Sequence, residues 1–582
     1  MNLLLAASAL ALTGAAQDTQ HDHGPLLGRV SFETSCEPDA DAAFRHGLGW
    51  LHSFEYQQAA RAFAQAAAAD PRCGIAHWGV AMSYYHPLWA PPTSAELESG
   101  ANALAAAREA RPGSEREQAY VDALETFYRE ADTVDHKTRA LAYSTAMKQL
   151  HERYPQDNEA AIFYALSLVA AGTMDKDPGF GKEKEAGAIL NRVLALQPDH
   201  PGVAHYLIHS FDYPALADLA LPAARRYAGI APASPHAQHM PSHIFVRLGL
   251  WDEAIKANLA SEAASRAFAK SQGLPDSSSE RLHAMDYLAY GYLQTGQDGE
   301  AAQVLTALNA IQRADPPVFT VAYAATAIPA RFVLERRSWK EAALLKLRDN
   351  VRDLAPLADF QWAEAHVLFA RAVGAARDGN AGAARAEAAK LKAIEESLTV
   401  PPGSYDWRAQ VAIERQIADA WLAYAEGRKE NAARLMRAAA DQDDATEKHP
   451  VTPGAILPAR EQLGELLLEL GRPEEALTEY EASLKRAPRR LGGLYGAARA
   501  AKGARDMARA EAYYARIVEL TKNADGMRAE VAEARTFAAA NRWSDAPRSP
   551  GYRSASAAAN VRASATSARI PSAFFVSSTI RA

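Results

Sequence analysis

Histidines are concentrated near the middle of this chain. The segment 205-HYLIHSFD-212 contains His205, His209 and Asp212, and the segment 236-HAQHMPSH-243 contains three further histidines. Neutral imidazole is the commonest transition-metal ligand in proteins, and two histidines with one carboxylate form a known iron-binding triad. Three histidines, or two with a carboxylate, also suit zinc. These side chains can bind one ion only if the fold turns them toward a common point.

The sequence offers little other chemistry. It contains no glycine-rich phosphate loop, no G-x-S-x-G elbow and no HExxH motif. An enzyme with this sequence would therefore depend on a bound metal to activate water or oxygen. The net charge of −7 and the lack of a long basic run predict no nucleic-acid partner. No apolar stretch after the N-terminus reaches the roughly 18 residues that span a membrane.

A recurring pattern defines the elements that carry the histidines. The segments 248-LGLWDEAIKANLASEA-263 and 470-LGRPEEALTEYEASLKRAP-488 share a glycine, a bulky residue and an alanine at fixed offsets. The segment 52-HSFEYQQAARAFAQAAAADP-71 follows the same pattern, with Phe54 at the place of the glycine. Equivalent positions lie 34 residues apart in three pairs, Ala220 and Ala254, Pro198 and Pro232, and Ala476 and Ala510. The pattern resembles the tetratricopeptide repeat, a helix–turn–helix unit of 34 residues.

The resemblance implies an all-α fold, a right-handed α-solenoid of about eleven to twelve helix pairs over residues 37–540. Each unit of such an array buries its apolar face only against its neighbours. The whole chain also looks like exported bacterial tetratricopeptide proteins with His-rich central repeats, which here span residues 200–296. The family implies a concave groove that takes a protein or peptide partner.

The resemblance also implies that the first helix of each pair lines this groove. Counting back six, ten and thirteen residues from the turn glycine stays on one helical stripe. From Gly249 the count reaches three histidines, from Ala215 it reaches two histidines and Gly202, and from Gly296 it reaches Tyr290, an aspartate and a histidine. The predicted ligands are His205, His209, Asp212, His239 and His243 in a first tier, with His236, His283 and Asp286 in a second.

Two structures of the 236–243 segment are open. In one, Ser234 and Pro235 begin a helix that Pro241 kinks; in the other, the helix begins at Pro241 and the first two histidines lie in the incoming loop. Both keep the three histidines close together. Weaker candidates are Glu461 and Glu465 at the end of the groove, His449 in a proline-rich loop, His86, and His21 and His23 of the motif QHDHG.

The ends of the chain and its two cysteines predict an exported protein. Residues 1–16 have the apolar run and small residues of a signal peptide, although no Lys or Arg precedes the run. Residues 17–36 are expected to be extended, and the Ser/Ala/Arg-rich residues 541–582 to be a disordered tail. Cys36 and Cys73 flank a predicted helix hairpin, so a disulfide between them is expected in a periplasmic or secreted protein.

The sequence as a whole predicts an exported solenoid that binds or scaffolds a partner and carries a His/Asp cluster in its groove. The cluster is expected to hold a divalent transition metal, with zinc, iron and copper as the candidates. Two alternatives stay open. One is a metal-free protein-interaction scaffold, and the other is a metal-dependent hydrolase or oxygenase built on the groove.

Overall fold

The computed structural model describes residues 26–88, 91–111, 113–175, 177–271, 273, 277–347, 354, 359–401, 404–526 and 528–540. The predicted signal peptide, the QHDHG motif and the predicted tail at 541–582 lie outside these residues. Of the predicted extended segment, residues 26–36 are described; they form no α-helix, and Phe32 packs against the rings of Phe44 and Trp78.

The described part of the chain is built from helices joined by short turns. In chain order they are α1 Pro38–His52, α2 Tyr56–Ala69, α3 Gly74–Met82, α4 Ser94–Ala110, α5 Glu115–Tyr128, α6 His136–Arg153, α7 Asn158–Asp175, α8 Gly181–Leu196, α9 Pro201–Phe211, α10 Ala217–Ile230, α11 Pro235–His239, α12 Pro241–Arg247, α13 Trp251–Ser271, α14 Ser279–Thr295, α15 Asp298–Ala310, α16 Phe319–Glu335, α17 Trp339–Ala343, α18 Gln361–Arg377, α19 Ala381–Ser397, α20 Trp407–Ala425, α21 Lys429–Ala445, α22 Ala459–Glu469, α23 Pro473–Arg486, α24 Leu491–Gly503, α25 Met507–Leu520 and α26 Ala529–Ala540. Two two-residue strands, β1 Ser277–Ser278 and β2 Ala314–Asp315, pair in parallel.

Successive helices pack as antiparallel hairpins, and each hairpin packs against the next. The pattern requires small residues where two helices cross: a Cβ on Gly187 would lie 2.1 Å from Cζ of Phe211. The turns require a left-handed residue, which is glycine at Gly249 and Gly296, whereas Phe54 adopts the same conformation at φ 56°. The structure is therefore a tetratricopeptide-like, all-α solenoid, and this prediction is confirmed.

The segment 236–243 follows the first of the two predicted forms, because His236 and His239 lie in a helix and not in a loop. Ser234 caps α11 by accepting a hydrogen bond from the backbone N–H of Ala237, and Pro235 occupies its first turn. Pro241 has no N–H to donate, so the helix is interrupted at Met240 and resumes as α12. The three histidines therefore lie on two short helices that meet at a break.

The C-terminal repeats return to the central ones. The indole N–H of Trp251 donates to the carbonyl of Arg489 at 2.9 Å, and the Arg490 guanidinium contacts the hydroxyl of Tyr290. Apolar side chains of α24 and α25 belong to the same core cluster as those of the first repeats. The loop between α21 and α22, residues 446–458, is thereby brought against the central helices, where its backbone accepts a hydrogen bond from Tyr287.

Candidate metal centre

The central histidines form two triads of buried side chains. The first consists of His205, His209 and His236, and the second of His239, His243 and His283. Within each triad one ring nitrogen of every residue lies within 4.8 Å of the others. Consecutive repeats supply them. The helix α9 carries His205 and His209, α11 carries His236 of the first triad and His239 of the second, and α12 and α14 carry His243 and His283.

In the first triad His205 is the central residue. Its Nε2 lies 3.0 Å from Nε2 of His209 and 3.2 Å from Nε2 of His236. Its Nδ1 donates to the backbone carbonyl of His52 at 2.7 Å. Nδ1 of His205, which points away from the triad, therefore carries the proton, and Nε2 presents a lone pair to the other two rings. The ring of Phe54 packs on this triad, with its centroid 4.4 Å from that of His205.

In the second triad the facing nitrogens of His239 and His243 lie 3.0 Å apart. Nδ1 of His239 donates to Oδ1 of Asn258 at 2.7 Å, and Nδ1 of His243 donates to Oδ2 of Asp212 at 3.1 Å. The ring of His283 lies beside them, tilted by 48° against the ring of His239, with the two centroids 4.1 Å apart. Both outer nitrogens are donors, so both Nε2 atoms present lone pairs to each other.

Asp212, predicted as a ligand, lies on the outer side of the second triad instead. Its carboxylate accepts hydrogen bonds from Nδ1 of His243, from Nε of Arg247 at 2.8 Å and from Nζ of Lys448 at 3.1 Å. Burial alone would raise the pKa of Asp212, but Lys448 and Arg247 outweigh it and hold that pKa well below its usual range. The structure thus makes Asp212 a partner that orients His243, not a member of the nitrogen cluster.

Asp286 also lies away from the imidazole nitrogens. Its Oδ1 accepts a hydrogen bond from the buried guanidinium of Arg331 at 2.5 Å. Burial raises the pKa of Asp286, and Arg331 opposes that change. In the sequence, Asp286 and His283 are neighbouring positions on the same helical stripe. In the structure, the carboxylate of Asp286 forms a separate ion pair with Arg331 on α16.

Burial favours the neutral form of the triad histidines. It lowers the pKa of His205, His209, His239 and His283 well below the ordinary value, and the neighbouring imidazoles lower it further. The pKa of His243 is lowered for the same reason, although Asp212 partly offsets the effect. Neutral imidazole is the form that binds metal ions, so the cluster is kept in its ligating state.

A third cluster of His52, Glu159 and His200 was not found by sequence reasoning. Nε2 of His52 lies 2.9 Å from one carboxylate oxygen of Glu159, and Nε2 of His200 lies 2.8 Å from the other. All three side chains are fully buried. The helical count reaches Gly202, where a Cβ would lie 2.4 Å from Nδ1 of His52. Gly202, which takes the place of a histidine in the helical count, was the one sequence signal that the His52 ring packs against α9.

The third cluster differs from the triads in its hydrogen bonding. Glu159 accepts from both imidazoles, and Nδ1 of His52 lies 3.0 Å from the hydroxyl of Tyr206. Burial alone would raise the pKa of Glu159, but the two histidines outweigh it and hold the pKa far below its usual value. Each of these contacts pairs a donor with an acceptor, so the carboxylate of Glu159 is satisfied without an ion, whereas Nδ1 of His200 is buried without a hydrogen-bond partner in the described part of the chain.

The weaker candidates have structural partners. Glu461 pairs with Arg490 in a buried ion pair, and Glu465 pairs with the partly exposed Arg337. His449 stacks on Trp407 in the 446–458 loop. His86 packs on the ring of Tyr56. None of these four side chains lies in the two triads.

Cys36 and Cys73 are joined by a disulfide, with their Cα atoms 4.9 Å apart. Cys36 precedes α1 and Cys73 follows α2, so the bond ties the ends of the first hairpin together. Among the described helices, none combines the length and apolar character that crossing a bilayer requires.

Comparison with known proteins found similarity to solved structures and no matching family. No protein-family model matches the sequence, and no curated protein matches it. The chain is similar to the human IFIT1 dimer with m7Gppp-AAAA, at 13% identity and a TM-score of 0.36 over 84% of this chain and 96% of that one. The TPR domain of P58(IPK) matches at 13% identity and a TM-score of 0.22, over 81% of this chain and 99% of that one. Naa15/Naa10 bound to HypK-THB matches at 12% identity and a TM-score of 0.23, over 87% and 92%. At such values these proteins carry no argument about function.

Proposed function

We propose that this protein binds two transition-metal ions, one in each histidine triad of the central repeats. The observation that carries the proposal is the contact between His239 and His243. Their Nε2 atoms lie 3.0 Å apart, while both Nδ1 atoms donate to fixed acceptors. Two lone pairs that face each other at this distance repel unless a cation lies between them.

A proton is a poor choice for that cation. One of the two rings would have to become an imidazolium, and both are buried where charge is disfavoured. The outer hydrogen bonds resist a change of tautomer, because Asn258 and Asp212 each need the N–H that points toward them. A metal ion accepts both lone pairs and leaves both outer hydrogen bonds intact.

The distances suit one ion in each triad. Nitrogens bound at about 2.0–2.1 Å and separated by about 90–110° lie about 2.9–3.4 Å from each other. The measured separations of 3.0 and 3.2 Å within the first triad and 3.0 Å within the second fall in this range. Ligating histidines characteristically donate their other nitrogen to a carbonyl or carboxylate, as His205 and His243 do here.

Three imidazoles leave a coordination position open on a four-coordinate ion. Such a site can bind a small external molecule, as a metal-dependent oxygenase or hydrolase requires. A metal-free groove for a peptide is less well supported by the geometry, because residues 446–458 of the chain itself cover the central repeats. Partners of the tetratricopeptide-like surface would then bind elsewhere along the solenoid.

Metal content tests the proposal. Untagged protein is stripped with a chelator, reloaded with zinc, iron(II) or copper, and analysed for metal after gel filtration. We expect two ions per chain, and one per chain in each of the variants His205→Gln and His239→Gln. His77→Gln, at a half-buried histidine of α3, serves as the matched control and keeps two. Protein that stays folded and binds none of these metals would refute the proposal.

We also propose that the protein acts in the periplasm or is secreted. The predicted signal peptide supports this, and so does the Cys36–Cys73 disulfide, since such bonds persist in oxidising compartments. Fractionation of cells that express the full chain tests it. Recovery of the intact, uncleaved chain from the cytoplasmic fraction would contradict it.

A further inference from the structure

The two triads lie side by side. The ring centroids of His209 and His243, one from each triad, are 6.3 Å apart, and those of His236 and His239 are 6.5 Å apart. The single helix α11 supplies His236 to the first triad and His239 to the second. Ions in the two triads are therefore close enough to share a small ligand that bridges them.

The ligand set is uncharged. A metal-bound imidazole is a neutral ligand, and the carboxylates near the rings do not contact the facing nitrogens: Asp212 contacts Nδ1 of His243, Glu280 lies 3.7 Å from Nδ1 of His236, and Glu55 accepts a hydrogen bond from the backbone N–H of His236. The cations Arg247 and Lys448 already offset the charge of Asp212. Two divalent ions would bring four positive charges into a buried site whose first ligands supply no negative charge, which is costly.

Copper resolves this charge problem. As copper(I) the two ions bring only two positive charges, and imidazole is a suitable ligand for copper. Copper(II) lies at the top of the stability order for divalent first-row metals, so nitrogen ligands retain the element after oxidation. Among the described residues neither triad includes a carboxylate that could bridge two ions, which leaves a bridging position for an external ligand.

We infer that the two triads form one coupled copper pair, and that the pair binds dioxygen between its ions. This inference rests on the proposed function. Each copper(I) gives one electron to the bound dioxygen, which becomes a peroxide that bridges two copper(II) ions. The total charge of the site stays at two positive throughout, no proton is transferred, and release of dioxygen returns both electrons to copper.

The surroundings suit a small ligand. Each triad histidine is less than a tenth exposed, so a large substrate cannot reach the ions without displacing the chain. Aromatic side chains flank the rings: Phe54 stacks near His209 and Tyr287 lies edge-on to His239. The 446–458 loop closes the opposite side, where Lys448 reaches Asp212. A diatomic molecule meets these limits.

The test loads the full-length protein with copper(I) without oxygen and then admits oxygen. We expect two coppers per chain and uptake of one dioxygen for every two coppers. A near-ultraviolet peroxide-to-copper charge-transfer band should appear with no electron paramagnetic resonance signal, because a bridging peroxide couples the two copper(II) spins. The band should disappear when oxygen is removed.

Variants with one triad separate the steps. His239→Gln and His205→Gln should each hold one copper, take up no bridging dioxygen, and give a copper(II) resonance signal after chemical oxidation. Circular dichroism confirms that each variant is helical.

The failures are distinguishable. Two coppers that oxidise to two independent, fully visible spins would overturn the inference and leave the proposed function intact. Two zinc or iron ions with no copper bound would do the same. No metal of any kind would defeat both.

Discussion

Asn258 on α13 fixes the proton of His239 and gives a direct test of the lone-pair argument. Its Nδ2 donates to the carbonyl of Ala254 at 2.8 Å, so its Oδ1 must face His239, where it accepts from Nδ1 at 2.7 Å. The substitution Asn258→Leu keeps the number and branching of the side-chain heavy atoms and removes the acceptor. It therefore releases the tautomer of His239 without opening a cavity.

The effect should differ between the metal-free and loaded protein. Without metal, His239 can move its proton to Nε2 and donate to His243, 3.0 Å away. One hydrogen bond of about 1 kcal/mol replaces another, so the stability of the metal-free protein hardly changes. Metal binding forces the proton back to Nδ1, where it is buried and unpaired at a cost of about 1–3 kcal/mol. Affinity of that triad should fall roughly 10–100-fold.

Competition against a chelator of known affinity measures the change, and the first triad provides an internal reference. One ion should bind as in the wild type and the other should bind more weakly. Ser261→Ala is the matched control, since Ser261 is equally buried on the same helix but donates to the backbone carbonyl of Pro235. Two ions held with unchanged affinity in Asn258→Leu, or an equal loss in Ser261→Ala, would refute the reasoning.

Three further predictions follow from the buried groups. Burial lowers the pKa of most triad histidines, so below about pH 6.5 the unfolded chain binds protons that the folded metal-free protein does not. The stability of the folded, metal-free protein is therefore fully present above that pH. On acidification it falls by up to about 1.4 kcal/mol per pH unit for each such histidine, so the melting midpoint should fall between about pH 7.5 and pH 5.5. A melting midpoint that does not change with pH would contradict the burial of these groups. Glu159→Gln should still bind two ions but melt earlier, since breaking a buried charged network costs about 3–5 kcal/mol; a loss of one ion would instead make the third cluster a metal site. Replacing Cys36 and Cys73 together by serine should destabilise the first repeats by up to about 4 kcal/mol, because the disulfide closes a loop that spans 37 residues. Proteolysis of the first repeats should become faster, and an unchanged cleavage rate would argue against the disulfide.

The sequence predicted what a single helix can determine. A four-residue step places His205 and His209 on one face, and the same step relates His239 and His243; both pairs meet at 3.0 Å between ring nitrogens. The repeat period then set neighbouring helices side by side. These steps need only helical geometry and the packing of adjacent repeats, which local sequence encodes.

The roles of the two aspartates depended on distant partners. Lys448, 236 residues from Asp212, reaches its carboxylate only because the C-terminal repeats return to the central ones. The guanidinium of Arg331, which lies on a helix of a later repeat, donates a hydrogen bond to the carboxylate of Asp286. A small rotation between neighbouring repeats accumulates over the array. The repeat motif does not specify the size of this rotation, so it does not determine which distant repeats come into contact. Sequence spacing therefore could not show which carboxylates face the imidazoles.

The division of 236–243 between the triads falls inside α11. His236 and His239 lie on this one helix, before the break at Met240, yet His236 contacts His205 while His239 contacts His243 and His283. The four-residue step that relates His239 to His243 is kept across Pro241, as it is between His205 and His209 in α9. Each repeat junction thus completes one triad with a residue from its neighbour. A solenoid can place two such junctions side by side, and this is the property from which a paired metal centre follows.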